Sequence, residues 1–197
     1  MKVVFDLGNV LVRWDPLAIV RSLAVPRATQ DLIKRELFDH PDWLALDAGL
    51  TTEAAVIDRI SREAGLPRDL LVETLKVTKA AFTDIPASVA VVRELAERGI
   101  PLYCLSNMSV DSYQVLRSRD YFQCFSGVVI SGEEGLLKPD PRLFLRLFER
   151  FELEPVDLLF IDDVSENIEA AVALGMRSRQ FSGSEADYRW IRQQTAA

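Results

Sequence analysis

Four short apolar runs limit what this chain can fold into, because each closes on a polar or charged residue. Val3 to Leu7 is broken by Asp6, and Leu102 to Leu105 runs into Ser106-Asn107. Val128 to Ile130 is soon followed by Lys138-Pro139, and Leu158 to Ile161 by Asp162-Asp163. A weaker run spans Ser178 to Phe181. Runs this short and this apolar predict strands buried on both faces. Helical patterns lie between them. Ala87 to Arg98 places Val89, Val92, Leu95 and Ala96 on one face and stops at Gly99. Asp140-Pro141 is an N-cap followed by Pro at the first helical position, and Ser165 to Leu174 closes on Gly175. Strands alternating with helices predict an α/β fold, a doubly wound, Rossmann-like parallel sheet with right-handed crossovers. In such a sheet ligands bind beyond the carboxyl ends of the strands, where the polar residues fall.

One connection breaks the rhythm. The first strand ends near Leu7 and the second begins near Leu102, whereas a parallel crossover needs only about a dozen residues. The surplus reads as helical: amphipathic stretches cover Leu17 to Leu23, Thr29 to Phe38, Thr52 to Ala64 and Pro67 to Phe82, punctuated by Gly49, Gly65 and several prolines. The expected organisation is a core of residues 1–14 and 86–197 and a small helical cap, 15–85, inserted over the strand ends through linkers near Arg13–Asp15 and Thr83–Pro86. The tail, Glu185 to Ala197, carries Tyr188, Trp190 and Ile191 and is expected to form a docking helix.

The formal charge of −7 argues against nucleic acid or an anionic membrane as a partner. No apolar run approaches the length of a membrane span and no signal peptide is visible, so a cytoplasmic protein is expected. Oligomeric state is not readable. Cys104 and Cys124 lack metal-ligand spacing, and the single His40 excludes a histidine-cluster metal site.

The residues after the strands define the chemistry. Asp6 is a candidate nucleophile or metal ligand. Ser106 and Asn107 either bind an anion or cap the next helix. Lys138 is framed by Pro139 and Pro141. If Asp6, Asp162 and Asp163 converge, each like-charge pair near 4 Å costs about 4 kcal/mol at an effective dielectric of 20. Either one carboxyl is protonated or a cation sits among them. An all-oxygen donor set favours Mg²⁺ over zinc. A carboxylate nucleophile, a Mg²⁺ site, a hydroxyl–amide pair and a lysine suit a phosphoryl group. Asp6 would attack phosphorus while Ser106, Asn107 and Lys138 hold the other oxygens. The expected partner is therefore a small phosphate ester.

These segments resemble, in order, the four motifs of the haloacid dehalogenase-like hydrolase superfamily: Phe5-Asp6-Leu7-Gly8-Asn9-Val10-Leu11, Leu105-Ser106-Asn107, Lys138-Pro139 and Ile161-Asp162-Asp163. The resemblance implies Asp6 as nucleophile and Mg²⁺ held by Asp6, the Gly8 carbonyl and Asp163, with Asp162 assisting directly or through water. One position departs. Most phosphatases of the superfamily carry a general-acid Asp two residues after the nucleophile, where this chain has Gly8. General acid catalysis is typically worth 10²–10⁴-fold. Two remedies are open: an unusually good leaving group, such as the anomeric oxygen of a sugar 1-phosphate, or a substitute acid, of which Asp15 is nearest in sequence. The Gly-Asn variant is similar to the α-D-glucose-1-phosphate phosphatase-like branch. The expected activity is a Mg²⁺-dependent phosphomonoesterase acting on a small phosphorylated metabolite such as a sugar phosphate. The alternatives are a 2-haloacid dehalogenase and a catalytically degenerate phospho-ligand-binding protein.

Overall fold

The computed structural model describes residues 1–196; Ala197, the end of the expected tail helix, lies outside them. The strands are β1 (Lys2–Phe5), β2 (Leu102–Ser106), β3 (Phe125–Ile130), β4 (Leu158–Asp162) and β5 (Arg177–Gln180). They form one parallel sheet in the order β3-β2-β1-β4-β5. The fold is thus the expected Rossmann-like α/β class. The chain moves outward from β1 on one side and then returns to the other. That reversal opens a crevice beyond the carboxyl ends of β1, β2 and β4.

The central strands are apolar without alternation because both faces are covered. Val3 and Phe5 of β1, with Leu159 and Ile161 of β4, point into one cluster; Val4, Leu158 and Phe160 point into the other. The helices are α1 (Pro16–Ser22), α2 (Arg27–Ile33), α3 (Pro41–Asp47), α4 (Glu53–Ala64), α5 (Arg68–Ala80), α6 (Pro86–Glu97), α7 (Val110–Leu116), α8 (Ser131–Glu134), α9 (Pro141–Phe151), α10 (Ser165–Ala173) and α11 (Glu185–Gln194). Helices α6, α7 and α11 contribute to the first cluster, through Val92, Leu95, Leu116 and Ile191. Helices α9 and α10 contribute to the second, through Phe144, Leu147 and Ala171. Edge strand β5 begins and ends one residue earlier than the sequence pattern suggests. Its partly exposed residues carry little apolar signal, and Phe181 packs in the core just beyond it.

Helices α1–α5 surround a cluster of their own, centred on Ile33, Leu37, Ile60 and Leu71. A π-helical turn, Lys34–Phe38, extends α2. Helix α3 was not anticipated from periodicity, since seven residues span barely two turns. The His40 imidazole caps it, accepting from the Asp42 amide at 3.2 Å. The two linkers run antiparallel. Arg13 N–H donates to the Thr83 carbonyl at 2.8 Å and Ile85 N–H to the Leu11 carbonyl at 2.8 Å, around a Val12–Asp84 bridge.

Helix α11 docks through Tyr188, which hydrogen-bonds Ser88 at 3.0 Å, and through the buried Asp187. Burial alone would raise the Asp187 pKa. Hydrogen bonds from Ser182, Ser184 and Arg179 outweigh it and hold the carboxyl below the usual range. A depressed carboxyl contributes stability above its unfolded pKa, and that contribution disappears as pH falls toward the folded value. Asp187→Asn is expected to cost about 1.5–3 kcal/mol at pH 7. Urea titrations should show the gap closing as pH drops below roughly 3.9.

Candidate active site

Asp6 follows β1 directly and continues its ladder, its amide donating to the Ile161 carbonyl at 2.9 Å. Its side chain meets Lys138. The ammonium, 1% exposed, donates to Asp6 Oδ1 at 2.8 Å, Asp162 Oδ2 at 2.6 Å and the Leu105 carbonyl at 2.9 Å. It also lies 5.5 Å from the centre of the Phe160 ring. Burial pulls the Lys138 pKa down, but Asp6 and Asp162 pull it up further, to about 12. Lys138 therefore stays charged. Burial drives Asp6 upward, Lys138 opposes, and the Asp162 charge adds to the rise, leaving it at about 6.

A tight turn follows. Leu11 and Val12 both donate their amides to the Leu7 carbonyl, at 2.8 and 2.9 Å. Asn9 takes a left-handed conformation (φ 52°), which Asn tolerates better than most residues. Its side chain accepts from Trp14 N–H at 3.0 Å and donates to Asp163 Oδ2 at 3.2 Å, aiming that carboxylate at the site. Asp6 Oδ2 lies on the Gly8 side: a Cβ built on Gly8 would stand 3.8 Å from it, in ordinary contact.

The sequence-predicted residues meet at one end of the sheet, and several take different tasks there. Oxygens of Asp6, Asp162 and Asp163 lie within 4.8 Å of one another. At that separation two carboxylates repel by about 3–4 kcal/mol at a dielectric of 20. The donors are hard oxygens, which fit a cation such as Mg²⁺. Asp162 is the least available of them. Its Oδ1 accepts from Val164 N–H and Asn167, and its Oδ2 from Lys138 and Asn167, all at 2.6–3.0 Å. Asp162 thus anchors Lys138 and the start of α10, while one of its oxygens stays within the three-carboxylate cluster. Asn107 is likewise engaged. Its side-chain amide donates to the Lys138 carbonyl at 2.9 Å and accepts from the Lys138 amide at 2.7 Å, so Asn107 clamps the lysine loop while lining the cavity. Ser106 is buried beside Asp6, and its hydroxyl helps lower the Asp6 pKa. Neither Ser106 nor Asn107 caps α7, which Ser109 does. Asp15 is an exposed N-cap of α1, accepting from Ala18 N–H at 2.9 Å; it does not line the site.

A cavity of about 370 Å³ lies between these residues, α3 and the two linkers. Asp6, Lys138 and Asp163 line its floor; Trp14, Trp43, Leu44 and Phe82 line its wall. The indoles of Trp14 and Trp43 stack at 5.3 Å, and Phe82 stacks on Trp14 at 5.6 Å. One further acid lines the cavity and was missed: Asp47, the last residue of α3. The sequence carried no signal for it, since α3 is too short to show a period and its C-terminus could not be placed.

Residues 3–175 match the haloacid dehalogenase-like hydrolase family, described as hydrolases. The chain belongs to that family and is an enzyme of the hydrolase class. A sesquiterpene phosphatase from Aspergillus oryzae is 24% identical over 191 residues, 96% of this chain and 94% of the relative. Two further relatives are much longer, and the chain spans 33% and 17% of their lengths. Among solved structures, a family enzyme of Bacteroides thetaiotaomicron in complex with magnesium and inorganic phosphate superposes with a TM-score of 0.75 at 21% identity, covering 93% of this chain and 95% of that one. An L-2-haloacid dehalogenase from Xanthobacter autotrophicus gives 0.69 at 19% identity, covering 100% of this chain and 84% of that one. At these identities the two structures show a shared fold. Among the described residues no helix is long and apolar enough to cross a membrane.

Lys138→Met removes the ammonium and leaves Asp6 and Asp162 as buried, opposed carboxylates. The expected loss is about 3–5 kcal/mol at pH 7. It should shrink as the solution is acidified, because a carboxyl whose folded pKa is raised takes up a proton and relieves the repulsion. Chemical denaturation at pH 7 and pH 5 checks both statements.

Proposed function

We propose that the chain is a Mg²⁺-dependent phosphomonoesterase that passes through an aspartyl-phosphate on Asp6. The supporting observation is the cavity floor. The middle strand presents a carboxylate with one oxygen on a buried ammonium and the other beside further oxygen donors. Asp6, Asp163 and the Gly8 carbonyl would hold the cation, with Asp162 behind them. Bound Mg²⁺ screens the repulsion between an anionic nucleophile and an anionic substrate and polarises a phosphoryl oxygen. Lys138 orients Asp6 and offsets charge on the phosphoryl group, and the Ser106 hydroxyl beside Asp6 would donate to one of its oxygens. The region 15–85 acts as a cap that restricts bulk solvent and orders the site around substrate. Several carboxylates close together repel a carboxylate substrate, which speaks against a 2-haloacid dehalogenase.

The leaving alcohol faces the aromatic wall. Stacked Trp14 and Trp43 and the exposed Leu44 suit an apolar body or the C–H face of a sugar ring. The sesquiterpene phosphatase among the relatives favours the apolar body. A panel of sugar phosphates, isoprenoid phosphates and p-nitrophenyl phosphate, assayed with Mg²⁺, separates these classes. Asp6→Asn should lower phosphate release by roughly 10³-fold or more; full activity in that variant overturns the assignment of Asp6. Chloride released from 2-chloropropionate without Mg²⁺ would identify the dehalogenase. Tight binding of phosphate mimics with no turnover would identify a degenerate binding protein.

A further inference from the structure

We propose that Asp47 is the general acid and base of the reaction, reaching the leaving oxygen from the helical side of the cavity where Gly8 offers no side chain. The assignment rests on the phosphatase reading above. Asp47 and Asp6 line the same cavity, one on α3 and the other on its floor.

The carboxyl is held in place from the core. Ser109 N–H, three residues beyond β2, donates to Asp47 Oδ1 at 3.1 Å. The Ser131 hydroxyl, at the start of α8, donates to the Asp47 carbonyl and accepts from Met108 N–H at 2.8 Å. Two glycines permit this approach. A Cβ on Gly49 would collide with the Gly132 carbonyl, and a Cβ on Gly132 would lie 2.8 Å from the Met108 carbonyl. The end of α3 therefore seats backbone-to-backbone on the core, and Asp47 is the carboxyl that this seat delivers. Its surroundings favour the protonated form. Burial raises its pKa and the charge of Asp6 adds to the rise; the Ser109 amide and the Trp43 indole oppose, and the balance lies at about 7. A carboxyl that exchanges its proton near neutrality suits acid–base work.

The chemistry balances. Asp6 forms a bond to phosphorus as the bond from phosphorus to the ester oxygen breaks. That oxygen keeps the electron pair and takes the Asp47 proton, leaving as a neutral alcohol. Water then attacks phosphorus, the bond from Asp6 to phosphorus breaks, and the proton of the water returns to Asp47.

The test compares p-nitrophenyl phosphate, whose phenolate leaves with little help, with the best alkyl phosphate of the panel. Asp47→Asn keeps the volume and an acceptor for Ser109. It is expected to lower kcat/KM on the alkyl ester by about 10²–10⁴-fold, and on the aryl ester by at least about tenfold less. Adding Gly8→Asp to that variant places a carboxyl beside Asp6 and should recover alkyl-ester turnover at least tenfold. Equal losses on the two esters would reduce Asp47 to a seat for α3 and overturn the assignment, as would an undiminished rate on the alkyl ester. If the unmodified chain releases phosphate from no ester, the phosphatase reading itself has failed; if it does and the losses are equal, only the role of Asp47 has.

Discussion

The rest of the site depends on one buried ammonium. Lys138 lies between Asp6 and Asp162, with a third bond to the Leu105 carbonyl, and so ties together the ends of β1, β2 and β4. Without it, two carboxylates in a water-poor crevice would repel by several kcal/mol. With it, Asp162 becomes an anchor, and Asn107 grips the lysine backbone from both sides. Burying an ion pair is seldom a large gain in stability over apolar packing. Its effect here is geometric: one oxygen of the Asp6 carboxylate is held by the ammonium, and the other lies on the Gly8 side.

The second constraint is the joint between the helical segment and the sheet. Both linkers are hydrogen-bonded to each other, and Asp84 in the return linker is gripped by Arg119 and approached by the Tyr121 hydroxyl at 3.3 Å. Trp14 packs against both the sheet cluster and the helical cluster, so the aromatic wall is also part of the joint. On the far side, Gly49 meets Gly132. The cavity is thus bounded by contacts at two points, and its lining is shared between the two parts of the chain.

Much of this was legible before any coordinates. The apolar runs identified β1 to β4, because residues buried on both faces of a sheet are rarely polar, while β5 gave only a weak signal; the 94 residues between the first two runs pointed to inserted structure. The charged strand ends located the crevice. What those residues do was harder to read. That Asp162 anchors Lys138 and Asn107 clamps its loop was not legible, because a sequence does not show how many donors surround a side chain. Asp15 attracted attention by proximity along the chain, and its local cap to Ala18 cannot be told from a catalytic position by spacing. Asp47 escaped because α3 is too short for a period to emerge, and because its closeness to the site arises from contacts with Ser109 and Ser131, more than sixty residues away.

The order of the strands carries a consequence for how the molecule is made. β1 emerges from the ribosome first, yet its neighbours β2 and β4 are translated about 100 and 155 residues later. Its apolar edges must wait, and long-range parallel pairing of this kind is slow and exposes aggregation-prone surface. The helices that follow β1 close around their own cluster from local contacts and can collapse while the rest is still being synthesised. They would shorten the effective loop between β1 and β2, bringing its ends close through the paired linkers. The inserted segment would then serve as an assembly aid for the sheet, quite apart from anything it does over the cavity.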